Sequence, residues 1–151
     1  MAGPLKSGIT IADIIENFSL LDEWDDRYGY LIELGRDLIP MDPATMNDSN
    51  KVQGCVSQVW VDHRLDRSVD PEILTFTGAS DAHIVSGLVA IALTLFSGRP
   101  PQEILELDER ETFEEIGLVE HLTPQRANGL RALVQRLKAT ASGALEEMET
   151  S

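Results

Sequence analysis

A chain of 151 residues that is 42% apolar, with four Phe, two Tyr and two Trp, is long enough to bury one sizeable core. Its formal net charge of −14 excludes duplex nucleic acid and anionic membrane surfaces as partners, because phosphate binding needs a positive face, and points to protein partners instead. No apolar run reaches membrane-span length, residues 1–8 lack the hydrophobic stretch of a secretory signal, and a single cysteine makes no internal disulfide, so a reducing, cytoplasmic setting is expected.

In chain order, the first ten residues read as a loose tail. Thr10 then caps a short helix, with Asp13 placed for the reciprocal hydrogen bond and Ile11, Ile14, Ile15 and Phe18 on the inner face. A second helix follows with Asp22 as N-cap, Asp25 and Asp26 at the positive end of its dipole, and Trp24, Tyr28, Leu31, Ile32 and Gly35 at helical spacing. Residues 36–50 carry Pro40, Pro43, Asn47, Asp48, Ser49 and Asn50 with little periodicity, which predicts a surface loop.

Residues 56–65 alternate as a strand does, from Val56 through Trp60 to Leu65, residues 66–71 supply a turn, and residues 73–77 form a second strand. The pair predicts an antiparallel hairpin in a small sheet, with room for a third strand just before Cys55. Ser80 and Asp81 open the next helix, in which Ile84, Val85, Leu88, Val89, Ile91, Leu93, Leu95 and Phe96 leave almost no polar face, so it must run through the centre. Two short acidic helices are expected at residues 102–107 and 111–116. Thr123 and Pro124 then start a last long helix with Leu130, Leu133, Val134 and Leu137 as its buried stripe, fraying from Glu146 onwards. There is no repeat and no second domain, so residues 1–151 are expected to form one unit.

The lone cysteine, Cys55, carries the chemistry. It follows the flexible Gly54 and is flanked by Gln53, Ser57 and Gln58, whereas an inert packed thiol usually sits in an apolar cluster. Arg126 also breaks a local rule, because a cation in the first turn of a helix opposes the macrodipole. A carboxylate from Asp81 or the acidic run would compensate it structurally; otherwise the arginine is aimed at the thiol site or a docking surface. Asp81 reads as a helix cap that the fold can bring near the cysteine loop.

Three sequence blocks, taken together, resemble the SufE family of sulfur-acceptor proteins. Gln53-Gly54-Cys55-Val56-Ser57-Gln58-Val59-Trp60 is similar to its cysteine loop. The run from Gly78-Ala79-Ser80-Asp81 to Leu88 resembles the start of its central helix, and His121-Leu122-Thr123-Pro124-Gln125-Arg126 resembles its last-helix segment. The blocks stand in the family's order, and the resemblance runs from about residue 10 to about residue 140, leaving the tails and the turn after His63 as departures.

The resemblance implies an α+β fold in which a small antiparallel sheet packs against several helices, similar to SufE and to the IscU-like scaffold proteins of iron-sulfur assembly. It also implies a function. Members take persulfide sulfur from a pyridoxal-phosphate cysteine desulfurase, of the SufS or CsdA kind, and relay it to an iron-sulfur scaffold complex such as SufBCD, stimulating the desulfurase as they do so. Cys55 would be the persulfide acceptor, Gln53, Gly54, Ser57 and Gln58 its supporting loop, and Asp81 and Arg126 residues of partner docking. The protein would be a carrier rather than a stand-alone enzyme, and a homodimer is left open.

The residues make chemical sense of that assignment. A thiolate attacking the terminal sulfur of a donor persulfide needs reach, which Gly54 supplies, and hydrogen-bond donors for the anion, which Gln53, Ser57 and Gln58 offer. A persulfide is easily lost to small thiols, so the loop should shelter Cys55 at rest and swing it out on docking. The histidines His63, His83 and His121 have no spacing that would make one the base of a cysteine hydrolase, and one cysteine with scattered histidines makes no metal site. No cofactor is implied for this chain, since its lysines and glycines match no Schiff-base or phosphate-binding pattern. The competing reading is a non-chemical adaptor that regulates a desulfurase or another enzyme with Cys55 merely buried.

Overall fold

The structure, a computed structural model, describes residues 3–55 and 57–150, with only the backbone of Thr150. Of the ten residues expected to form a loose tail, the stretch from Pro4 to Lys6 is tied down. Leu5 is buried and pairs with Leu38, the Lys6 amide donates to the Asp37 carbonyl at 2.7 Å, and the Ile39 amide donates to the Pro4 carbonyl at 2.9 Å. A lone leucine among polar neighbours carries no periodicity, which is why this docking is invisible in the sequence.

Helix α1 (Ile11–Ser19) begins with the expected capping box: Thr10 Oγ1 accepts from the Asp13 amide at 3.2 Å and the Asp13 carboxylate accepts from the Thr10 amide at 2.9 Å. Ile14 and Phe18 are buried beneath it. Helix α2 (Trp24–Arg36) starts one residue later than expected, with Glu23 rather than Asp22 at the N-cap and no side-chain cap. Asp25 and Asp26 already serve its dipole, and Arg27 Nε orders the preceding turn by donating to the Leu21 carbonyl at 2.8 Å. The stretch that follows is irregular apart from two 3-10 turns, Pro43–Thr45 and Asp48–Asn50, and is held by the buried Leu38 and Met41.

Strands β1 (Val59–Asp66) and β2 (Ile73–Ser80) pair antiparallel from Val59↔Ser80 to Asp66↔Ile73, placing Val59, Val61, Leu74, Phe76 and Gly78 inside. Strand β1 begins at Val59, so Ser57 and Gln58 stand outside it, and the expected start at Val56 lies outside the described residues. The third strand does not form among the described residues. It is reduced to one bridge, Lys51↔Trp60, because the backbone leaves the sheet at Gly54, whose φ of +91° turns it into the cysteine loop.

Helix α3 (His83–Phe96) fills the centre, buried at nine positions between Gly87 and Phe96. Ala82 is its N-cap, and neither Ser80 nor Asp81 caps it: Ser80 belongs to β2, and the Asp81 carboxylate is engaged by another segment. Helices α4 (Pro101–Glu106) and α5 (Glu109–Ile116) follow, α5 starting two residues early because Asp108 accepts from the Arg110 amide. Helix α6 (Pro124–Thr150) continues through the segment expected to fray. Ala141 and Ala144 extend the buried stripe beyond Leu137, and alanines are too weakly apolar to announce it in sequence.

The mixed α+β class is as expected, with six α-helices and a two-stranded antiparallel sheet among the described residues. Side chains from α1, α2, α3, α5, α6 and the hairpin share one hydrophobic cluster. No helix among the described residues is long and apolar enough to cross a membrane.

Candidate functional site

The cysteine loop is closed at its neck by a hydrogen bond from the Val52 amide to the Val59 carbonyl, 2.8 Å long, with both side chains buried. Just inside this neck, Gly54 and Cys55 lie against α6. A Cβ on Gly54 would stand 3.3 Å from the Ala132 Cβ, and the positive φ adds a second reason for glycine there. Cys55 follows, half-buried, and its thiol donates to the Gly129 carbonyl of α6 at 3.6 Å.

The thiol opens into a cavity of about 240 Å³ between the hairpin, α3 and α6. Val59, Val85, Leu88, Val89, Leu130 and Leu133 give it apolar walls, while Ser57, Thr123, Gln125 and Arg126 supply polar groups. Of the polar loop residues expected around the thiol, only Ser57 lines this cavity; Gln53 and Gln58 are exposed and point no donor at the sulfur. Gln58 contributes its backbone. Its amide donates to the Asp81 carboxylate at 3.0 Å, and the Asp81 amide donates back to the Gln58 carbonyl at 3.3 Å. Asp81 therefore clips the downstream end of the cysteine loop to the start of α3, outside the cavity itself.

Arg126 is brought to the cavity by Thr123, whose Oγ1 accepts from the Arg126 amide at 3.3 Å and so starts α6. Among the described residues no carboxylate, Asp81 included, pairs with Arg126, which lines the cavity without a structural ion pair. Sequence reasoning missed Gly129. A glycine inside a helix costs about 1 kcal/mol relative to alanine and so marks a position to inspect; of the two in α6, Gly129 meets the thiol and Gly143 meets open space. A Cβ on Gly129 would stand 3.5 Å from Cys55 Sγ, an ordinary contact that alanine meets and a larger side chain overruns.

His121 is stacked on Trp24 with ring centroids 3.7 Å apart, and its carbonyl accepts from the Tyr28 hydroxyl at 3.0 Å. His63 and His83 are exposed, and among the described residues no histidine lines the thiol cavity. Among the described residues no three His, Cys, Asp or Glu side chains gather where they could hold a metal ion.

Burial pushes the Cys55 thiol above its ordinary value, and the Gly129 carbonyl accepts from the neutral S–H. A thiol whose folded value is raised contributes stability that is fully present below its unfolded value, about 8.5, and is lost as pH rises through the folded one. The urea midpoint is therefore expected to fall above about pH 8.5, and that part of the slope should be missing in Cys55→Ala. Coincident slopes for the two proteins would remove the claim. Tyr30, also raised by burial, adds a fall at higher pH that both proteins share.

Comparison with known proteins agrees with this architecture. The family model SufE, described as an Fe-S metabolism associated domain, matches residues 12–141. An uncharacterised SufE-like protein of Rhizobium meliloti (strain 1021) is 53% identical over 137 residues, covering 90% of this chain and 97% of that protein. A second uncharacterised SufE-like protein, from Rhizobium etli, is 51% identical over 135 residues, covering 87% and 89% respectively. The solution structure of a hypothetical protein from Thermus thermophilus superposes with a TM-score of 0.70 at 24% identity, covering 97% of this chain and 99% of that one, and so shares the fold. With a family match across most of its length and relatives of this closeness, the chain belongs to the SufE family and has a role in Fe-S metabolism.

Proposed function

We propose that Cys55 is the acceptor of persulfide sulfur from a pyridoxal-phosphate cysteine desulfurase, and that the protein relays this sulfur to an iron-sulfur scaffold. The observation that carries the reading is the setting of the sole cysteine: a half-buried thiol on a glycine-led loop, opening into an apolar-walled cavity with Arg126 among its lining residues. Cys55 must first lose its proton to a base of the docked complex. The resulting thiolate attacks the terminal sulfur of the donor's cysteine persulfide, a new S–S bond forms at Cys55, the donor's own S–S bond breaks, and the donor cysteine departs as thiolate. No electrons enter or leave, so the step needs no oxidant.

The cavity suits both states of such a carrier. At rest, burial keeps the thiol neutral and poorly nucleophilic, which suppresses reaction with adventitious electrophiles. Once loaded, the terminal sulfur sits among Val85, Leu88 and Leu133, away from the small thiols that would strip it, and Arg126 offers a counter-charge to a persulfide anion. Pyridoxal phosphate belongs to the donor in this scheme, and this chain supplies a loop and a pocket.

Incubation with a cysteine desulfurase and free cysteine, followed by intact-mass measurement, is expected to reveal protein heavier by one or more sulfur atoms, all removed by reductant. A reduced protein that gains no sulfur from any of several desulfurases would reject the carrier role. A second reading draws on the same burial: a regulatory adaptor that docks on a desulfurase through this face, with Cys55 serving only as packing.

A further inference from the structure

The segment that leads into the cysteine lies along one stripe of α6. Cys55 rests on Gly129, Gly54 on Ala132, and two carbonyls further upstream meet Arg136, so the three supporting positions recur at spacings of three and four along one helix face. Gly129 and Ala132 are small and merely permit the approach. Arg136 holds it. Its Nη2 donates to the Ser49 carbonyl at 2.6 Å and its Nη1 to the Lys51 carbonyl at 3.4 Å, while among the described residues it has no carboxylate partner. Arg136 as a whole is half-buried. A planar fork can bond two carbonyls two residues apart at once, which the single ammonium of lysine does less well.

From this geometry we propose that Arg136 is a positioning residue that keeps Cys55 seated on Gly129, and that its release from the Ser49 and Lys51 carbonyls is what lets the loop deliver the thiol to a donor. The two ends of the loop are fastened differently. Downstream, Asp81 ties Gln58 to the start of α3; upstream, next to the Val52–Val59 bond, Arg136 alone among the described residues ties an α6 side chain to the backbone of residues 49–51. Loss of the Arg136 fastening leaves the neck held to β1 by the Val52–Val59 bond and the Lys51–Trp60 bridge, and frees the segment from Gln53 to Cys55 to lift from α6 about that neck without unfolding the hairpin. The delivery half of the proposal rests on the sulfur-acceptor reading above; the seating half does not.

The test is the rate at which iodoacetamide alkylates Cys55 in the isolated full-length protein, as a function of low urea concentration, in wild type, Arg136→Met and Arg136→Lys. Methionine keeps the unbranched apolar stem and removes both donors. Arg136→Met is expected to react about tenfold faster than wild type, as loss of charge-assisted hydrogen bonds allows, with a rate that barely changes at low urea because the opening is local. Arg136→Lys, retaining charge and one bond, should fall between. A rate equal to wild type, or one raised only in step with global unfolding measured on the same samples, overturns the seating role; if Arg136→Met does not fold, Arg136→Lys alone decides on the same criterion.

Sulfur loading by a desulfurase, followed by intact mass, should also be faster in the variants. Faster alkylation with unchanged loading overturns the delivery half. Faster alkylation when no variant, wild type included, loads any sulfur leaves the seat established and removes the carrier reading instead.

Discussion

Cys55→Ser is expected to be a folded protein that takes up no sulfur at all. The substitution exchanges a half-buried thiol for a hydroxyl that can still donate to the Gly129 carbonyl, so stability should change by no more than about 1 kcal/mol. The chemistry is lost outright, because the thiolate is the nucleophile of sulfur exchange and no other cysteine in the chain can replace it. The effect separates the two functional readings cleanly. If the protein is a sulfur carrier, both the mass gain and the acceleration of cysteine turnover by the desulfurase vanish in the variant. If it is a docking adaptor, acceleration survives at the wild-type level, because every contact of the surface except one sulfur atom is intact. Circular dichroism and a urea midpoint on the same sample guard against loss by misfolding.

The second large effect is structural and lies behind the site. Helices α2 and α3 cross so closely that a Cβ placed on Gly87 would stand 2.2 Å from the Leu31 carbonyl oxygen and 2.7 Å from its carbon, and one on Gly35 would stand 2.7 Å from the Ser86 Cβ and 2.9 Å from the Gly87 nitrogen. The obstruction at Gly87 is backbone of the facing helix, which no rotamer change relieves. Gly87→Val must therefore push α3 away from α2, and α3 is the helix on which the whole core is assembled. A loss of about 3 kcal/mol or more is expected, read from the urea midpoint, with Gly87→Ala already harmful. Gly143→Ala is the natural control: that glycine lies in α6 with open space around it, and the change should stabilise the protein by up to about 1 kcal/mol through helix propensity alone. A wild-type midpoint for Gly87→Ala would show that the crossing is looser than the distances say.

The same crossing explains how the site is aimed. With α3 fixed against α2, Val85, Leu88 and Val89 form one wall of the thiol cavity, and α6 supplies the opposite wall with Gly129, Leu130 and Leu133. The cysteine loop is therefore positioned between α3, which the crossing with α2 fixes, and α6. This arrangement fits a carrier whose reactive group must be held still at rest and released on demand.

Much of this was written locally and could be read from residues alone. The Thr10 and Asp13 capping box needs only four consecutive residues, the hairpin only two alternating runs and a turn, and the burial of α3 only a helix with no polar face. The glycine-led, polar flanks of Cys55 marked it as the candidate acceptor, and the family was legible in the order of three blocks. Such features depend on neighbours within a turn or two, where periodicity and side-chain chemistry carry the information.

The features that escaped are contacts between distant positions. The Cys55 thiol meets Gly129, 74 residues away; Arg136 reaches Lys51 across 85; the Leu5 segment docks on Asp37 across 30. Asp81 looked like a helix cap because its local sequence is that of a cap, yet the folded chain presents it with the Gln58 amide, and that partner wins. The missing third strand, among the described residues, has the same origin, since the chain pairs with β1 only at Lys51 and Val52 before Gly54 turns it onto α6. Side-chain pattern fixes which face of each element turns inward; which distant backbone then comes within hydrogen-bond range of a thiol, a carboxylate or a guanidinium is settled only when those faces pack against one another.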